Sequence, residues 1–359
     1  MSNPFDDPAG SFMVLVNHEE QHSLWPAFAA VPEGWAVALG ETTRDACMTF
    51  ITETWHDLRP KSLRDAMARD AGGKTRLKPH FEDVQAHYDL SDDFFALFLD
   101  PTRTYSCAYF ERDDMTLQEA QMAKVDLALD KLGLKQGMTL LDVGCGWGST
   151  MMRAIERYDV NVIGLTLSEN QKAHVERVFA ESDSPRSKRV LLEGWEQFHQ
   201  PVERIVSIGA FEHFGYDRYD DFFTMAYDVL PDDGVMLLHT ITALTPPQMV
   251  ERGMPLTFDL AKFIEFIVTE IFPGGRLPSI EKVQDHSAKA GFRLTRRQSL
   301  QPHYARTLDI WAANLEAHKD EAIAIQSEEV YERYIKYLTG CAKGFRVGYI
   351  DVNQFTLEK

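Results

Sequence analysis

Thr139-Leu140-Leu141-Asp142-Val143-Gly144-Cys145-Gly146-Trp147-Gly148 is an apolar run that ends in an acid and then places three glycines in five positions. The run reads as a buried strand, the glycines as a tight turn, and a helix is expected to start near Ser149. A turn of that kind lets backbone come close to a ligand at the positive end of a helix dipole. Working outward, strand-like stretches recur at Val160–Thr166, Arg189–Leu192, Arg204–Ile208, Val235–Thr240, Phe292–Ser299 and Tyr349–Leu357. Helical stretches such as Thr150–Tyr158 and Glu169–Glu181 separate most of them. This alternation predicts an α/β chain with a parallel, doubly wound, Rossmann-like sheet, whose ligands bind beyond the carboxyl ends of the strands.

Dinucleotide enzymes use similar glycines, but they want an acid about 20 residues on, at the end of the next strand. Here that strand ends in Gly164-Leu165-Thr166-Leu167-Ser168, with no acid before Glu169. An acid ahead of the first glycine suits S-adenosylmethionine better. That cofactor has no diphosphate, and backbone groups can meet its ammonium and carboxylate.

The chain has 359 residues, 44% hydrophobic, which is ample for two globular domains. Its 37 basic and 55 acidic residues give a net charge of −18, which disfavours nucleic acid as a partner. No transmembrane segment is expected, since the best apolar run, Phe263 to Phe272, is broken by Glu265 and Glu270. The acidic N-terminus does not read as a secretory signal. Cys47, Cys107, Cys145 and Cys341 stand far apart with no CxxC, as expected of reduced thiols in a cytoplasmic protein.

Trp25, Trp35 and Trp55 are half of the six tryptophans and fall within residues 1–73, which end in Gly72-Gly73. A boundary is expected there, giving a small unit over 1–73 and a larger one over 74–359. Within the first, Ser11–Val16, His22–Trp25 and Trp35–Leu39 read as strands, and Thr43–Trp55 as a helix capped by Thr42 or Thr43. His18-Glu19-Glu20-Gln21-His22 is a literal HExxH, the zinc-protease pattern. That chemistry needs both histidines one turn apart on a helix, and the flanking strand-like FMVLV and SLWP leave no room for one. A hairpin turn is expected instead, with no metal.

Residues 1–73 resemble the MbtH-like family through Asn3-Pro4-Phe5-Asp6-Asp7, Ser23-Leu24-Trp25-Pro26, Gly34-Trp35 and Trp55-His56-Asp57-Leu58-Arg59-Pro60-Lys61-Ser62-Leu63. The resemblance implies a non-catalytic unit that binds and activates an adenylation domain of a nonribosomal peptide synthetase. An alanine side chain of that partner would sit between Ser23/Trp25 and Trp35.

The larger part is similar to the mycolic acid cyclopropane synthases. The matching stretches include Tyr105-Ser106-Cys107-Ala108-Tyr109-Phe110, Leu141 to Gly148, Gly194-Trp195-Glu196, Gly209-Ala210-Phe211-Glu212-His213-Phe214-Gly215 and His303-Tyr304-Ala305-Arg306-Thr307-Leu308. The resemblance implies a seven-stranded S-adenosylmethionine-dependent methyltransferase acting on very long acyl chains. The cofactor would meet Tyr105, Ser106, Asp142, Gly144, Gly146, Gly148, Thr166, Leu167, Gln171, Trp195 and Glu196.

The family's acceptor is an isolated cis double bond on a chain carried by an acyl carrier protein. Alkylating so weak a nucleophile leaves a carbocation, which must be kept from water and stabilised by aromatic faces. A base must then take a proton from the transferred methyl, closing the ring. The resemblance implies bound bicarbonate as that base, held by Glu212, His239, Tyr304 and backbone near Cys107 and Ile208. Cys341 is a further catalytic candidate, although the chemistry has no need of a thiolate and a pocket wall serves equally well.

Two amphipathic stretches suit a lipid site or an ordinary core alike. Leu256–Phe272 carries Phe258, Phe263, Phe266, Ile267 and Phe272, and Ser327–Tyr337 carries Tyr331, Tyr334 and Tyr337 on one stripe. The competing product is an oxygenated mycolate. Relatives that hydroxylate carry Glu where this chain has Gly209, and a carboxylate there could hold a water near the cation. Because a peptide-synthetase activator has no obvious use for a lipid enzyme, the small unit reads as a fusion partner.

Overall fold

The structure, a computed structural model, describes residues 10–55, 60–62, 91–255, 257–273 and 275–359. The chain divides into two compact units, Met1–Leu77 and Lys78–Lys359. The expected boundary at Gly72-Gly73, the Asn3–Asp7 and His56–Arg59 stretches, and the basic cluster Lys74, Arg76 and Lys78, a candidate docking site for an acidic carrier protein, lie outside the described residues.

In the first unit, strands β1 (Ser11–Asn17), β2 (His22–Pro26) and β3 (Trp35–Thr43) form an antiparallel sheet in the order β2-β1-β3. Helix α1 (Arg44–Thr54) follows directly, capped by the Thr43 hydroxyl, which accepts from Ala46 N. Phe12, Val14 and Cys47 are buried under it with Phe50 and Ile51 packed alongside. The HExxH stretch is a hairpin turn. Asn17 Oδ1 accepts from the backbone of Glu19 (3.0 Å) and Gln21 (2.9 Å), Glu20 takes a left-handed φ of 59°, and His18 points outward with its side chain 83% exposed. The one-turn spacing of two histidines on a helix is not formed.

The described residues of the second unit begin with α2 (Asp92–Ala96) and α3 (Leu117–Asp130). It continues through β4 (Thr139–Val143), α4 (Ser149–Tyr158), β5 (Asn161–Thr166), α5 (Glu169–Glu181), β6 (Lys188–Leu192), β7 (Arg204–Ile208), α6 (Tyr219–Val229) and β8 (Val235–Ala243). Next come α7 (Pro246–Glu251), α8 (Phe258–Phe266), α9 (Ile280–Ala290), β9 (Arg293–Ser299), α10 (Gln301–Ala317), α11 (Lys319–Ile325), α12 (Glu328–Val347) and β10 (Ile350–Glu358). All seven strands read from the sequence are present, in the order β6-β5-β4-β7-β8-β10-β9.

The sheet is mixed rather than wholly parallel. Strands β4 to β8 run parallel, whereas β10 is antiparallel to both β8 and β9. The cause is local. α12 ends at Gly348 in the left-handed region (φ 88°), which turns the chain back within two residues and sends it into the sheet against β8.

Helices cover both faces. One buried layer joins α6 and α9 to the sheet through Phe222, Phe223 and Val283. The other joins α3, α4 and α5 through Val125, Met151 and Val175. Beyond the strands' carboxyl ends a third, aromatic cluster gathers Phe94, Phe95, Phe98, Trp311, Tyr331, Tyr334 and Tyr337. The tyrosine stripe of α12 therefore faces inward, and Ser327 caps the helix as expected. Along α8 the pattern splits. Phe266 is buried, but Phe258 is 71% exposed, and the helix widens into a π turn over Ile267–Ile271.

Candidate active site

The glycine loop is clamped to β5, with Gly144 N and Cys145 N both donating to Leu165 O at 3.0 and 2.9 Å. Gly144 has φ 82°, and a Cβ there would stand 2.4 Å from the Ala210 Cβ, so only glycine fits. Gly146 (φ 53°) differs, because an added Cβ would meet nothing within 4 Å and its bare Cα borders an open cleft. Gly148 is not part of that cleft. It caps α4 and packs toward Val175.

The cleft lies over the carboxyl ends of β4, β5 and β7. Asp142, Gly144 and Gly146 form its floor, Thr166, Leu167 and Gln171 one side, Trp195 and Glu196 another, and Tyr105 and Ser106 the roof. Thr166 Oγ1 donates to Gln171 Oε1 (2.8 Å), which leaves the Gln171 amide N–H groups as donors. Trp195 is 4% exposed and packs edge-on to Phe222 at 5.4 Å, so it is at once core and cleft wall. Glu196 is held by Arg218 Nη1 at 2.8 Å, and burial raises its carboxyl above the usual range against that pairing.

Sequence reasoning passed over Lys124, which is fully buried and lines the cleft. Its ammonium donates to Ser106 Oγ at 2.7 Å, so the Ser106 hydroxyl keeps its own proton to donate. Burial pushes Lys124 down to about 8 and Asp142 up to about 7, with Lys124 opposing the latter rise. Gln121, one turn earlier on α3, donates to the carbonyls of Thr104 (3.1 Å) and Ser106 (2.8 Å), fixing the roof strand.

The remaining candidates collect beside the cleft. Tyr105 belongs to both spaces. It roofs the cleft, and its ring packs against Phe95 and Trp311, each at 5.3 Å, with its hydroxyl donating to Tyr337 Oη at 3.4 Å. Tyr304 is buried among the same aromatics, and its phenol is pushed well up by burial and by Cys107, Tyr105, Glu212 and Cys341 around it. Ile208 at the end of β7 lines the cleft and lies opposite His239 in the β7–β8 register. Glu212 is buried, with Oε1 accepting from Ile241 N at 2.6 Å and the Thr240 hydroxyl close by, while Oε2 makes no hydrogen bond; burial raises its carboxyl against those contacts. His239 is buried, with Nδ1 at 3.3 Å from Gln354 Nε2 and Nε2 without a partner; burial first, then Lys124 and Lys131, lowers its basicity.

The two thiols are not poised as nucleophiles. Burial raises Cys107 well above the ordinary thiol value, and Cys341 to about 12. The structure thus gathers Tyr105, Tyr304, Cys107 and Cys341 in one aromatic cluster close to Glu212, with Ile208 at the end of β7 and His239 midway along β8. Phe94, Phe95 and Phe98, absent from the sequence reading, belong to the same cluster. The run FFALF held the signal.

This strand order, with a glycine loop after the first strand of the sheet and a cleft over the carboxyl ends, defines a Rossmann-like S-adenosylmethionine-dependent methyltransferase. The family model for mycolic acid cyclopropane synthetase matches residues 75–355, and that for MbtH-like protein matches residues 1–67. The chain belongs to the mycolic acid cyclopropane synthetase family, with an MbtH-like segment ahead of it.

Cyclopropane mycolic acid synthase MmaA2 of Mycobacterium tuberculosis is 75% identical over 283 residues, covering 79% of this chain and 99% of its own. Its solved structure superposes with a TM-score of 0.78 over the same shares. Methoxy mycolic acid synthase MmaA3 of the same organism is 68% identical over 293 residues, covering 82% and 100%. The crystal structure of cyclopropane synthase CmaA1 complexed with SAH and CTAB is 73% identical, covers 79% and 99%, and has a TM-score of 0.78.

Proposed function

We propose that residues 74–359 cyclopropanate a cis double bond in a very long, carrier-bound acyl chain. The observation that carries this reading is the pair of buried, unpartnered polar atoms, Glu212 Oε2 and His239 Nε2, beside a cleft suited to S-adenosylmethionine. S-adenosylmethionine, held by the cleft residues, supplies an electrophilic methyl. Gly146 leaves room for close approach, Gln171 offers amide donors, and Lys124 keeps Ser106 oriented as a donor. Glu212, His239 and Tyr304, with backbone near Cys107 and Ile208, would hold bicarbonate, which supplies a base. The two orphaned atoms fit such a group, because both need a small polar partner that the protein does not provide.

The rings of Tyr105, Tyr304 and Tyr337, gathered in one largely buried cluster, would stabilise positive charge on an acyl chain bound beside them. Gly209 has no side chain to hold a water there, and this favours loss of a proton over hydroxylation. For the carrier protein, which is acidic, the arginines of the exposed edge strand β9 (Arg293, Arg296 and Arg297) supply a docking patch. Lipid mass spectrometry of cells producing the full chain tests the reading. Chains heavier by one methylene without added oxygen are expected, and hydroxylated chains would overturn the product assignment.

The MbtH-like segment supports a second, separate role as activator of an adenylation domain. The half-buried Trp25 and Trp35 lie on the two strands flanking β1, where a partner's small side chain could enter. Pull-down with an adenylation domain, and its loss in Trp35→Ala, tests that role.

A further inference from the structure

Lys124 on helix α3 and Lys131, the residue that caps the helix C-terminus, are seven residues apart, hence on one face, and both act on His239. Lys124 serves Ser106, but Lys131 has no part in the chemistry described so far. Its ammonium donates to Gln298 Oε1 at 2.8 Å and to Gln354 Oε1. An ammonium can only donate, so the carbonyl end of the Gln354 amide is the end turned to Lys131. The NH2 end is then left facing His239 Nδ1, at 3.3 Å. Gln354 stands opposite His239 in the β8–β10 register, and both side chains are buried, so no water competes for this contact.

An amide nitrogen cannot accept, so Nδ1 must be the bare nitrogen of the imidazole. A neutral ring then carries its single proton on Nε2, the atom with no partner in the protein. Burial beside two lysines keeps the ring neutral.

We propose that Lys131 and Gln354 are positioning residues that fix His239 as the Nε2–H tautomer, so that its unpartnered Nε2 is a hydrogen-bond donor. What that donor serves rests on the bicarbonate reading above, whereas the tautomer itself does not. An N–H attracts an oxyanion; the opposite tautomer would turn a lone pair toward it. Lys131 acts through Gln354 and touches no reacting atom.

The test uses the full chain with 15N-labelled histidine, the His239 signals being identified by their loss in His239→Asn. In the unaltered protein, Nδ1 is expected to be bare and Nε2 protonated. Gln354→Glu keeps the shape but makes the group facing Nδ1 an acceptor. It should move the proton to Nδ1 and lower turnover about 30-fold or more, with cofactor affinity by calorimetry within about twofold. Lys131→Met frees the amide to turn over and should give a mixture of tautomers. A protonated Nδ1 in the unaltered protein, or an inverted tautomer with undiminished turnover, would overturn the assignment. Turnover that is indifferent to bicarbonate removal would instead count against the bicarbonate reading alone, leaving the nitrogen spectrum to decide the tautomer.

Discussion

Cys341 packs against the aromatic cluster with its thiol raised to about 12, and a thiolate would have to form there against burial. Cys341→Ala should therefore keep turnover within about threefold, with no thiol limb in the pH profile; loss of about 100-fold in a folded variant would make it catalytic. Glu212→Gln should do the reverse, lowering turnover about 100-fold or more while calorimetry shows unchanged cofactor binding. Gly209 lies at φ 71° with open space ahead of it, the Ser106 Cβ being 3.7 Å from where a Cβ would stand. Gly209→Glu can thus be accommodated at a backbone cost of about 1–2 kcal/mol, and mass spectrometry should find hydroxylated chains. Cyclopropane alone from the folded variant would remove this position from product control. Glycines and the acid before them were legible as a site, because a loop that needs positive φ accepts few other residues. Lys124 was not legible, since a lysine inside a helix reads as surface charge until burial is known.

At the scale of the element, α3 is where the sequence was least informative and the structure most so. Its lysines do not break the helical pattern, yet Lys124 is buried and its ammonium is lowered to about 8 from an ordinary 10.5. Between those two values the unfolded chain holds a proton that the folded chain has released, so stability rises with pH across that window. Below about pH 8 the full cost of the buried ammonium is present. In the cofactor-free protein, denaturant unfolding at pH 8.0 and 9.5 should show a gain of about 1 kcal/mol that Lys124→Met lacks. Equal gains in both proteins would place the titration elsewhere. Strand positions were readable from apolar runs, and α5 was read with the bounds Glu169–Glu181 that the structure gives it. The direction of β10 was not readable, because direction depends on the turn at Gly348 and on which edge is free, and neither is a property of the strand itself. Helix α2 escaped because five residues show no period.

For the whole molecule, every residue lining the cofactor cleft falls between Arg103 and Phe214. Removing residues 1–73 should accordingly leave cofactor affinity and turnover within experimental error, measured by calorimetry and product mass. A large loss of turnover in a protein that remains folded would make the MbtH-like segment part of the enzyme. The division into two units was legible because composition and motif change together near the double glycine. The group of catalytic candidates was legible only through resemblance, since Cys107, Glu212, His239, Tyr304 and Cys341 are dispersed over more than 200 positions of the sequence.

The antiparallel β10 also sets an order of events during folding. Strands β4 to β8 can pair as soon as they exist and already enclose the cleft, but β9 is left without a sheet neighbour until β10 slides between it and β8. Contacts so distant along the chain close slowly. A partly folded intermediate would thus hold cofactor while the ring of His239 still lacked Gln354 across from it. Competence to bind would precede competence to react, and pulsed hydrogen exchange would record β4 and β5 gaining protection before β10.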